Sequence, residues 1–268
     1  TTVSYSAPID IEPTNQLSSL SGLVSAMNDG SVEMLVILGG NPCYDTPGDA
    51  GFRDALLKVP FRVILAEAGN ETSVECHWQL PGTHYLEAWG DIRAKDGSVV
   101  LQQPMIEPLF GGKSQIEFLS MLVEEDASGR DLVRATFAAS AGLSGAEMEP
   151  VWRKALHDGV IADTSATAAD AALSADWTRL VNLAPAEGVE LVIRPDSTVW
   201  DGTYSNNGWM QELPKPITKI TWENVAQVSP ATAERLSLRN GEVVELGRGG
   251  LKVRGPVWIA PGQADDVI

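Results

Sequence analysis

Two rhythms of apolar and polar positions divide the sequence. Up to about Val133, apolar runs alternate with stretches of helical spacing, and the run Met34 to Leu38 ends in two glycines, as in a strand buried on both faces of a parallel sheet. A second strand is predicted over Phe61 to Glu67. Helices are predicted over Leu17–Met27, Asp49–Val59, Ser114–Glu124 and Ala146–His157. This alternation favours an α/β fold with an open, mainly parallel sheet and flanking helices.

The last part of the chain, from about Leu191 to Ile268, has short apolar runs separated by turn residues. Asn240-Gly241 and Gly249-Gly250 are strong turn signals, so a β-barrel or a sandwich is expected here. Its few strands do not close a barrel easily, and we expect a piece of a longer protein. An Ala-, Ser- and Asp-rich stretch before it is typical of a linker or a weakly packed helix. We therefore predict one domain at 1–178 and a second at 179–268.

Composition and charge exclude several classes of function. The chain of 268 residues carries 19 Lys and Arg against 36 Asp and Glu, a formal charge of -17 that repels nucleic acid. No apolar run approaches the roughly 20 residues of a membrane span. The two cysteines, Cys43 and Cys76, supply neither a zinc motif nor an iron–sulfur ligand set, and we expect two separate thiols.

The loop after the first predicted strand is one candidate site. Ligands of open α/β sheets bind outside the carboxyl ends of the strands, where Gly39 and Gly40 let a ligand approach the backbone. Asn41 can donate and accept hydrogen bonds, and Pro42 stiffens the exit. The alternative interpretation is a tight strand-to-helix connection with no ligand.

The stretch TSVECHWQLPGTHYLEAWGD, residues 72–91, follows the second predicted strand. Its position predicts that Glu75, Cys76 and His77 face the same crevice as Asn41 and Cys43. A neighbouring Cys and His can supply thiolate chemistry, but adjacent residues of an extended segment point to opposite faces. No third orienting group lies at a useful spacing, which disfavours a nucleophilic site.

Two other interpretations of the same stretch concern zinc and tryptophan. The set His77, His84 and Cys76 has no obvious fourth ligand and lies in a loop broken by Pro and Gly, which disfavours zinc. Trp78 and Trp89 are more typical of packing residues than of ligand-stacking residues.

Five segments carry a likeness to known proteins, in the same order along the chain. They are LVILGGNPCYDTP, TSVECHWQLPGTHYLEAWGD, GSVVLQQPMIEPLFGGKS, NNGWMQELPKPITKITWENVAQVSP and ATAERLSLRNGEVVEL. Together they resemble the molybdopterin oxidoreductase family. Within it, the likeness is strongest to the molybdenum-free branch, the large iron–sulfur subunit of the bacterial alternative complex III, a quinol:cytochrome c oxidoreductase. The pattern Cys-His-Trp-x-Leu-Pro…His-Tyr-Leu-Glu-x-Trp is specific to that branch.

The resemblance implies a pseudo-enzyme with no catalytic and no metal-binding residue in this fragment. In catalytic relatives, the matching segments line the pterin-dinucleotide crevice, and a double-psi-like β-barrel, here from Ile217 onward, covers it. Bulky CHWQLP replaces smaller residues, so we expect the crevice to be filled, with His77, Trp78 or Tyr85 buried. The implied ancestral cofactor-binding residues are Gly39, Gly40, Asn41, Pro42, Glu75, Cys76 and His77.

The function implied by the resemblance is that of a cofactor-free scaffold for electron transfer from quinol to cytochrome c in a respiratory complex. Iron–sulfur clusters are expected in a downstream ferredoxin-like domain of the full chain. The other expected partners are a membrane quinol-oxidising subunit and a c-type cytochrome subunit, at the periplasmic side of the bacterial inner membrane. The alternative is the molybdopterin guanine dinucleotide-binding portion of an active molybdenum oxidoreductase.

Overall fold

The computed structural model describes residues 3–7, 9–10, 13–172, 176 and 188–268. The helices are α1 Gln16–Asn28, α2 Pro42–Asp45, α3 Phe52–Leu56, α4 Gln115–Leu122, α5 Gly129–Ala141, α6 Met148–Asp158, α7 Gly208–Glu212 and α8 Pro230–Leu236. The strands are β1 Tyr5–Ser6, β2 Met34–Leu38, β3 Phe61–Ala66, β4 Trp78–Pro81, β5 Gly90–Arg93, β6 Val99–Gln102, β7 Val160–Ile161, β8 Ala168–Ala169, β9 Ala226–Val228, β10 Val243–Arg248 and β11 Leu251–Ile259.

The chain forms two compact units. The first comprises Thr1–Thr46 and Ala50–Leu173, and the second comprises Pro47–Asp49 and Ser174–Ile268. The predicted domain boundary at 178 and 179 lies outside the described residues, so it stays a prediction. Among the described helices, none combines the length and the apolar character that a membrane crossing requires.

A three-stranded parallel sheet in the order β2-β3-β4 organises the first unit. The register pairs Ile37 with Ile64 and Leu65 with Leu80. Directly after β4, Gly82 forms a parallel bridge with Lys113. Helices α1 and α3 cover the sheet through a buried cluster of apolar side chains, namely Met27, Phe52, Ala55, Leu56 and Val59. The two predicted strands and their parallel arrangement are therefore confirmed.

The rest of the first unit differs from the prediction of one mainly parallel sheet. Strands β5, β6 and β7 form a separate antiparallel sheet. A short turn connects β5 to β6, whereas a long connection that contains α4, α5 and α6 leads from β6 to β7. Helix α5 was not predicted, since it has only three large apolar residues, Leu132, Val133 and Phe137. It is capped by the Ser128 side chain and packs Val133 and Phe137 against Trp152 of α6.

The second unit contains a small mixed sheet. Strands β10 and β11 form an antiparallel hairpin, and β9 pairs in parallel with β11 in the order β10-β11-β9. Val228, Ala233 and Val257 form its core beneath α8. No closed barrel forms among residues 188–268, so the double-psi-like topology stays a prediction.

Candidate functional site

Asn41 and Thr72 join the two loops at the carboxyl edge of the parallel sheet. The Asn41 Oδ1 accepts hydrogen bonds from the Thr72 backbone N at 3.1 Å and from Thr72 Oγ1 at 2.8 Å. The Thr72 hydroxyl oxygen accepts in turn from the Cys43 backbone N at 2.9 Å. Thr72 is fully buried, and Asn41 Nδ2 donates to Glu71 at 2.6 Å. The polar groups of this loop are thus used within the protein.

The carboxyl end of β2 is also covered by protein groups. Gly39 and Gly40 both have positive φ, 73° and 75°, which glycine adopts without strain. The Gln115 side chain donates to the Leu38 carbonyl at 3.1 Å, and Asn70 donates to the Gly40 carbonyl at 3.1 Å. A Cβ at Gly39 would lie 3.1 Å from the Gln115 amide nitrogen, so the glycine permits this close cover.

His77 lies at the other end of the strands, away from this loop. Its backbone N donates to the Arg62 carbonyl at 2.9 Å, and its Nδ1 accepts from the Arg62 backbone N at 3.1 Å. Gly39, in contrast, donates to the carbonyl of Leu65. Arg62 and Leu65 are separated by about 10 Å along the strand, at about 3.3 Å per residue. The prediction that His77 shares a crevice with Asn41 is therefore wrong.

The topology explains this separation. Residues 67–77 connect two parallel strands, and such a connection must return the chain to the amino edge of the sheet before the next strand begins. Thr72, at the middle of the connection, contacts Asn41, whereas His77 directly precedes β4. Strand β4 itself was not predicted, and without it the direction of the connection could not be inferred.

Glu75 takes part in an ion pair rather than standing free for a ligand. Its carboxylate pairs with the Arg53 guanidinium, and its backbone carbonyl accepts from Arg62 Nε at 2.7 Å. The Glu75 side chain is largely shielded from solvent while Arg53 is largely exposed. These contacts hold the connection against α3 and the start of β3.

Cys43 and Cys76 are both free and half-buried, which confirms the prediction of separate thiols. Burial raises the pKa of the Cys43 thiol, and the nearby Glu75 carboxylate adds to this shift. Burial also raises the pKa of Cys76, with Arg62 opposing it. A thiolate at Cys43 would raise the pKa of Cys76 further, so the two thiols lie within electrostatic reach of each other. Raised pKa values are the opposite of what a nucleophilic cysteine requires.

The expected burial of the bulky side chains is also wrong. Trp78 is 60% exposed and Tyr85 is 61% exposed, and His77 is exposed as well. The His77 ring stacks on Phe61 with centroids 5.7 Å apart, at the surface. In a strand of four residues at the edge of the sheet, a large side chain has no neighbouring strand or helix to cover it. The Asn41–Thr72 contact, not side-chain overpacking, covers the predicted crevice.

A cavity of about 260 Å³ lies at the carboxyl ends of β3 and β4. Its polar lining comes from Glu67, which follows β3, and from Gly82, His84 and Glu87, which follow β4. Its apolar lining consists of Leu86, Ile106, Leu109 and Phe110. The position agrees with the rule that ligands of open α/β sheets bind beyond the carboxyl ends of the strands.

Two local structures hold the polar side chains of this cavity in place. His84 caps a short 3-10 helix, Tyr85–Glu87, through an Nδ1 that accepts from the Leu86 backbone N at 3.2 Å. Glu87 accepts from the backbone N of His84 at 3.0 Å and from that of Leu109 at 3.2 Å. The second contact ties the apolar loop to the capped turn.

Glycines allow the backbone to pack closely beneath the cavity. A Cβ at Gly82 would lie 3.2 Å from the Ala66 carbonyl carbon, and one at Gly112 would lie 2.9 Å from the Pro81 carbonyl oxygen. Lys113 donates its backbone N to the same Pro81 carbonyl at 3.0 Å. The floor of the cavity is therefore a rigid strand edge.

Sequence reasoning missed most of this cavity. His84 was considered only as a zinc ligand, and Glu67 was placed at the end of a strand without a role. The signal was present in the spacing of His84 and Glu87, because a polar residue followed three positions later by Glu is a capping-box pattern. Within the described residues, no group of three or more His, Cys, Asp or Glu side chains has the arrangement of a metal site.

Comparisons with known proteins found one relative by sequence and similar folds among solved structures. No family model matches the sequence. The chain is 32% identical over 123 residues to the menaquinone reductase, molybdopterin-binding-like subunit of Nitratidesulfovibrio vulgaris, a match that covers 43% of this chain and 18% of the relative. Acetylene hydratase from Pelobacter acetylenicus has a similar fold, with a TM-score of 0.58 at 14% identity over 92% of this chain and 38% of that one.

Together these findings support a molybdopterin oxidoreductase-like chain. The resemblance seen in the sequence is thus supported for the broad family, and its assignment to the alternative complex III branch stays a prediction. This chain spans well under half the length of either protein that it matches.

The residues predicted for the pterin crevice do not fit a bound pterin in this structure. Asn41 is bonded to Thr72 and Glu71, Glu75 is paired with Arg53, and His77 lies at the opposite edge of the sheet. A ligand at Gly39 and Gly40 would have to displace the side chains of Gln115 and Asn70. The role of these residues in cofactor binding stays a prediction.

Proposed function

We propose that this chain is a non-catalytic scaffold module of a molybdopterin oxidoreductase-like subunit. The observation that carries the proposal is the Asn41–Thr72 contact, which closes the loop that a pterin would need open. Opening this loop would leave buried hydrogen-bond donors and acceptors without partners. Each unpaired group would destabilise the open form by about 1–3 kcal/mol. The alternative, a molybdopterin guanine dinucleotide-binding portion of an active enzyme, requires that opening.

In this proposal, the module is part of a subunit of a quinone-linked respiratory complex. The support is the similarity to a subunit named for menaquinone reductase and described as molybdopterin-binding-like. Electrons pass from quinol to a c-type cytochrome through iron–sulfur clusters in a ferredoxin-like domain elsewhere in the full protein. A membrane subunit oxidises the quinol, and the assembly lies at the periplasmic side of the bacterial inner membrane.

Analysis of the native complex tests the proposal directly. The complex is purified with its partner subunits, its molybdenum and tungsten are quantified by mass spectrometry, and oxidised pterin is sought by fluorescence. We expect neither metal nor pterin in a preparation that transfers electrons from a quinol to a c-type cytochrome. Stoichiometric pterin with molybdenum or tungsten would overturn the cofactor-free scaffold in favour of the enzymatic alternative.

A substitution separates a scaffold from a catalytic role. Thr72→Val removes the hydroxyl at the loop contact, and we expect a lower yield of assembled complex with an unchanged turnover per assembled complex. Thr136→Val, at an exposed position of α5, is the matched control and should change neither quantity. A loss of turnover in fully assembled Thr72→Val complex would contradict the scaffold role.

A further inference from the structure

We propose that the cavity between Glu67 and Phe110 binds a small hydroxy-aromatic ligand, a phenol of one or two fused rings. This site is distinct from the Asn41–Thr72 contact, and the proposal does not depend on the scaffold function. Its basis is that one hydrogen-bond acceptor, Glu67, and one donor, His84, line the same largely apolar cavity.

Glu67 supplies the acceptor. Its carboxylate is exposed directly after β3 and lines the cavity. Within the described part of the chain it has no ion pair or hydrogen bond, unlike Glu87 in the same lining, which accepts two backbone N–H groups. A carboxylate that is free on a cavity wall can accept the hydrogen bond of a ligand hydroxyl.

His84 supplies the donor. Because its Nδ1 accepts the Leu86 backbone N–H, the neutral ring carries its proton on Nε2. The Tyr85 ring lies against the imidazole with centroids 4.2 Å apart, which restricts its orientation. A hydroxyl oxygen accepts one hydrogen bond while its proton is donated, so one hydroxyl matches both Glu67 and His84.

The remaining residues of the lining are apolar and favour a ligand whose main part is apolar. Leu86, Ile106, Leu109 and Phe110 form this wall, and Phe110 is 83% exposed, so its ring face is open to a partner. Stacking of two aromatic rings contributes favourable free energy in addition to that of the apolar area that they bury. The volume of about 260 Å³ is just below the usual range for small-molecule sites, about 300–1,000 Å³, which limits the ligand to one or two rings.

Charge disfavours anionic ligands in this cavity. Glu67 and Glu87 both line the cavity, and the chain has a formal charge of -17, so carboxylates and phosphates are repelled. An organic cation would pair with Glu67 but would leave the His84 N–H donor without an acceptor. A neutral hydroxyl satisfies both groups.

The test is an NMR titration of the full 268-residue chain with 2-naphthol, using 2-methoxynaphthalene as the probe that lacks the hydroxyl proton. We expect 2-naphthol to shift the backbone amides of Glu67, Gly82, Leu86 and Leu109. The methoxy compound should bind about threefold to tenfold more weakly, as loss of one hydrogen bond predicts. This comparison uses only the wild-type chain, so no variant has to fold.

Two variants assign the hydrogen bonds. Glu67→Gln removes the charged acceptor, and His84→Asn keeps a side-chain oxygen for the cap but lacks Nε2–H, so each should weaken 2-naphthol binding about threefold to tenfold. Glu125→Gln and His157→Asn are the exposed controls and should bind as the wild type does. Equal binding of the two probes, shifts outside the cavity, or no binding of 2-naphthol would overturn the proposal.

Discussion

One side-chain oxygen of Asn41 accepts both the backbone N–H and the hydroxyl of Thr72, 31 residues away in sequence, at 3.1 and 2.8 Å. This pair fixes the loop after β2 to the connection between β3 and β4. Because of this pair, the polar groups at the carboxyl ends of the strands differ in whether they can bind a ligand. The Asn41 side chain is committed, whereas Glu67, a few residues before Thr72, faces a cavity.

The first prediction concerns this contact. Thr72→Val preserves the shape of the side chain but removes the hydroxyl, so the Cys43 backbone N–H loses its acceptor and Asn41 loses one of two donors. We expect a loss of about 1–3 kcal/mol in the free energy of unfolding, measured with urea. Thr136→Val on the exposed side of α5 should change it by less than about 0.5 kcal/mol. Equal stability of the two variants would show that the contact contributes little.

The second prediction compares two tryptophans. Trp78→Ala should cost less than about 1 kcal/mol, because the ring is 60% exposed on an edge strand. Trp152→Ala should cost about 3–5 kcal/mol, because that ring is 0% exposed and packs 5.3 Å from the Phe137 ring centroid. Both are measured by denaturant unfolding of the isolated chain. A large loss at Trp78 would mean that the edge strand is covered in solution.

The third prediction is a pH dependence in the second unit. Burial would raise the pKa of Asp196, but hydrogen bonds from Thr198 and Val199 and the charge of Lys215 outweigh it and lower the pKa to about 2. A pKa below the ordinary 3.8 stabilises the fold at higher pH by about 2 kcal/mol, and this contribution is lost as the pH falls from about 4 to about 2.

The corresponding variant is Asp196→Asn. At pH 6 it should be less stable than the wild type by about 2 kcal/mol, and the difference should shrink as the pH is lowered through this range. Asp29→Asn, at an exposed position at the end of α1, is the control and should change the free energy of unfolding by less than about 0.5 kcal/mol. Unfolding in urea at a series of pH values measures both. A difference that persists at pH 2 would contradict the assignment.

The fourth prediction tests the floor of the cavity. An added Cβ at Gly112 would lie 2.9 Å from the Pro81 carbonyl oxygen, so Gly112→Ala should destabilise the chain by about 1–3 kcal/mol. Gly22→Ala, inside α1 with nothing within 4 Å, should instead stabilise it by about 0.5–1 kcal/mol. Thermal unfolding of the two variants, followed by circular dichroism, gives the sign of each change. Stabilisation by Gly112→Ala would mean that this backbone contact is looser than the structure shows.

Apolar pattern alone determined much of the first unit. The unbroken apolar runs that predicted two strands became β3, the buried centre of the parallel sheet, and β2, the half-buried edge strand beside it. The spacing that predicted α1, α4 and α6 is local to each helix. Such patterns are readable because burial of a strand or a helix face requires apolar residues at fixed intervals along the chain. Helix α5 was missed although Val133 and Phe137, its two buried large apolar residues, lie four positions apart and so on one face of the helix.

Only the tertiary structure determined which polar side chains lie near one another. Strand β4 has four residues, two of them exposed aromatic or polar side chains at its start, so its pairing with β3 comes from backbone hydrogen bonds that no residue pattern records. Once β4 exists, the connection before it must return to the amino ends of the strands, which separates His77 from Asn41. The residues that follow β3 and β4, Glu67 and His84 among them, then line one cavity. The sequence by itself therefore identified the strands and the resemblance. The partners of each polar side chain depended on non-local pairing, because residues far apart in the chain meet only after the sheet has formed.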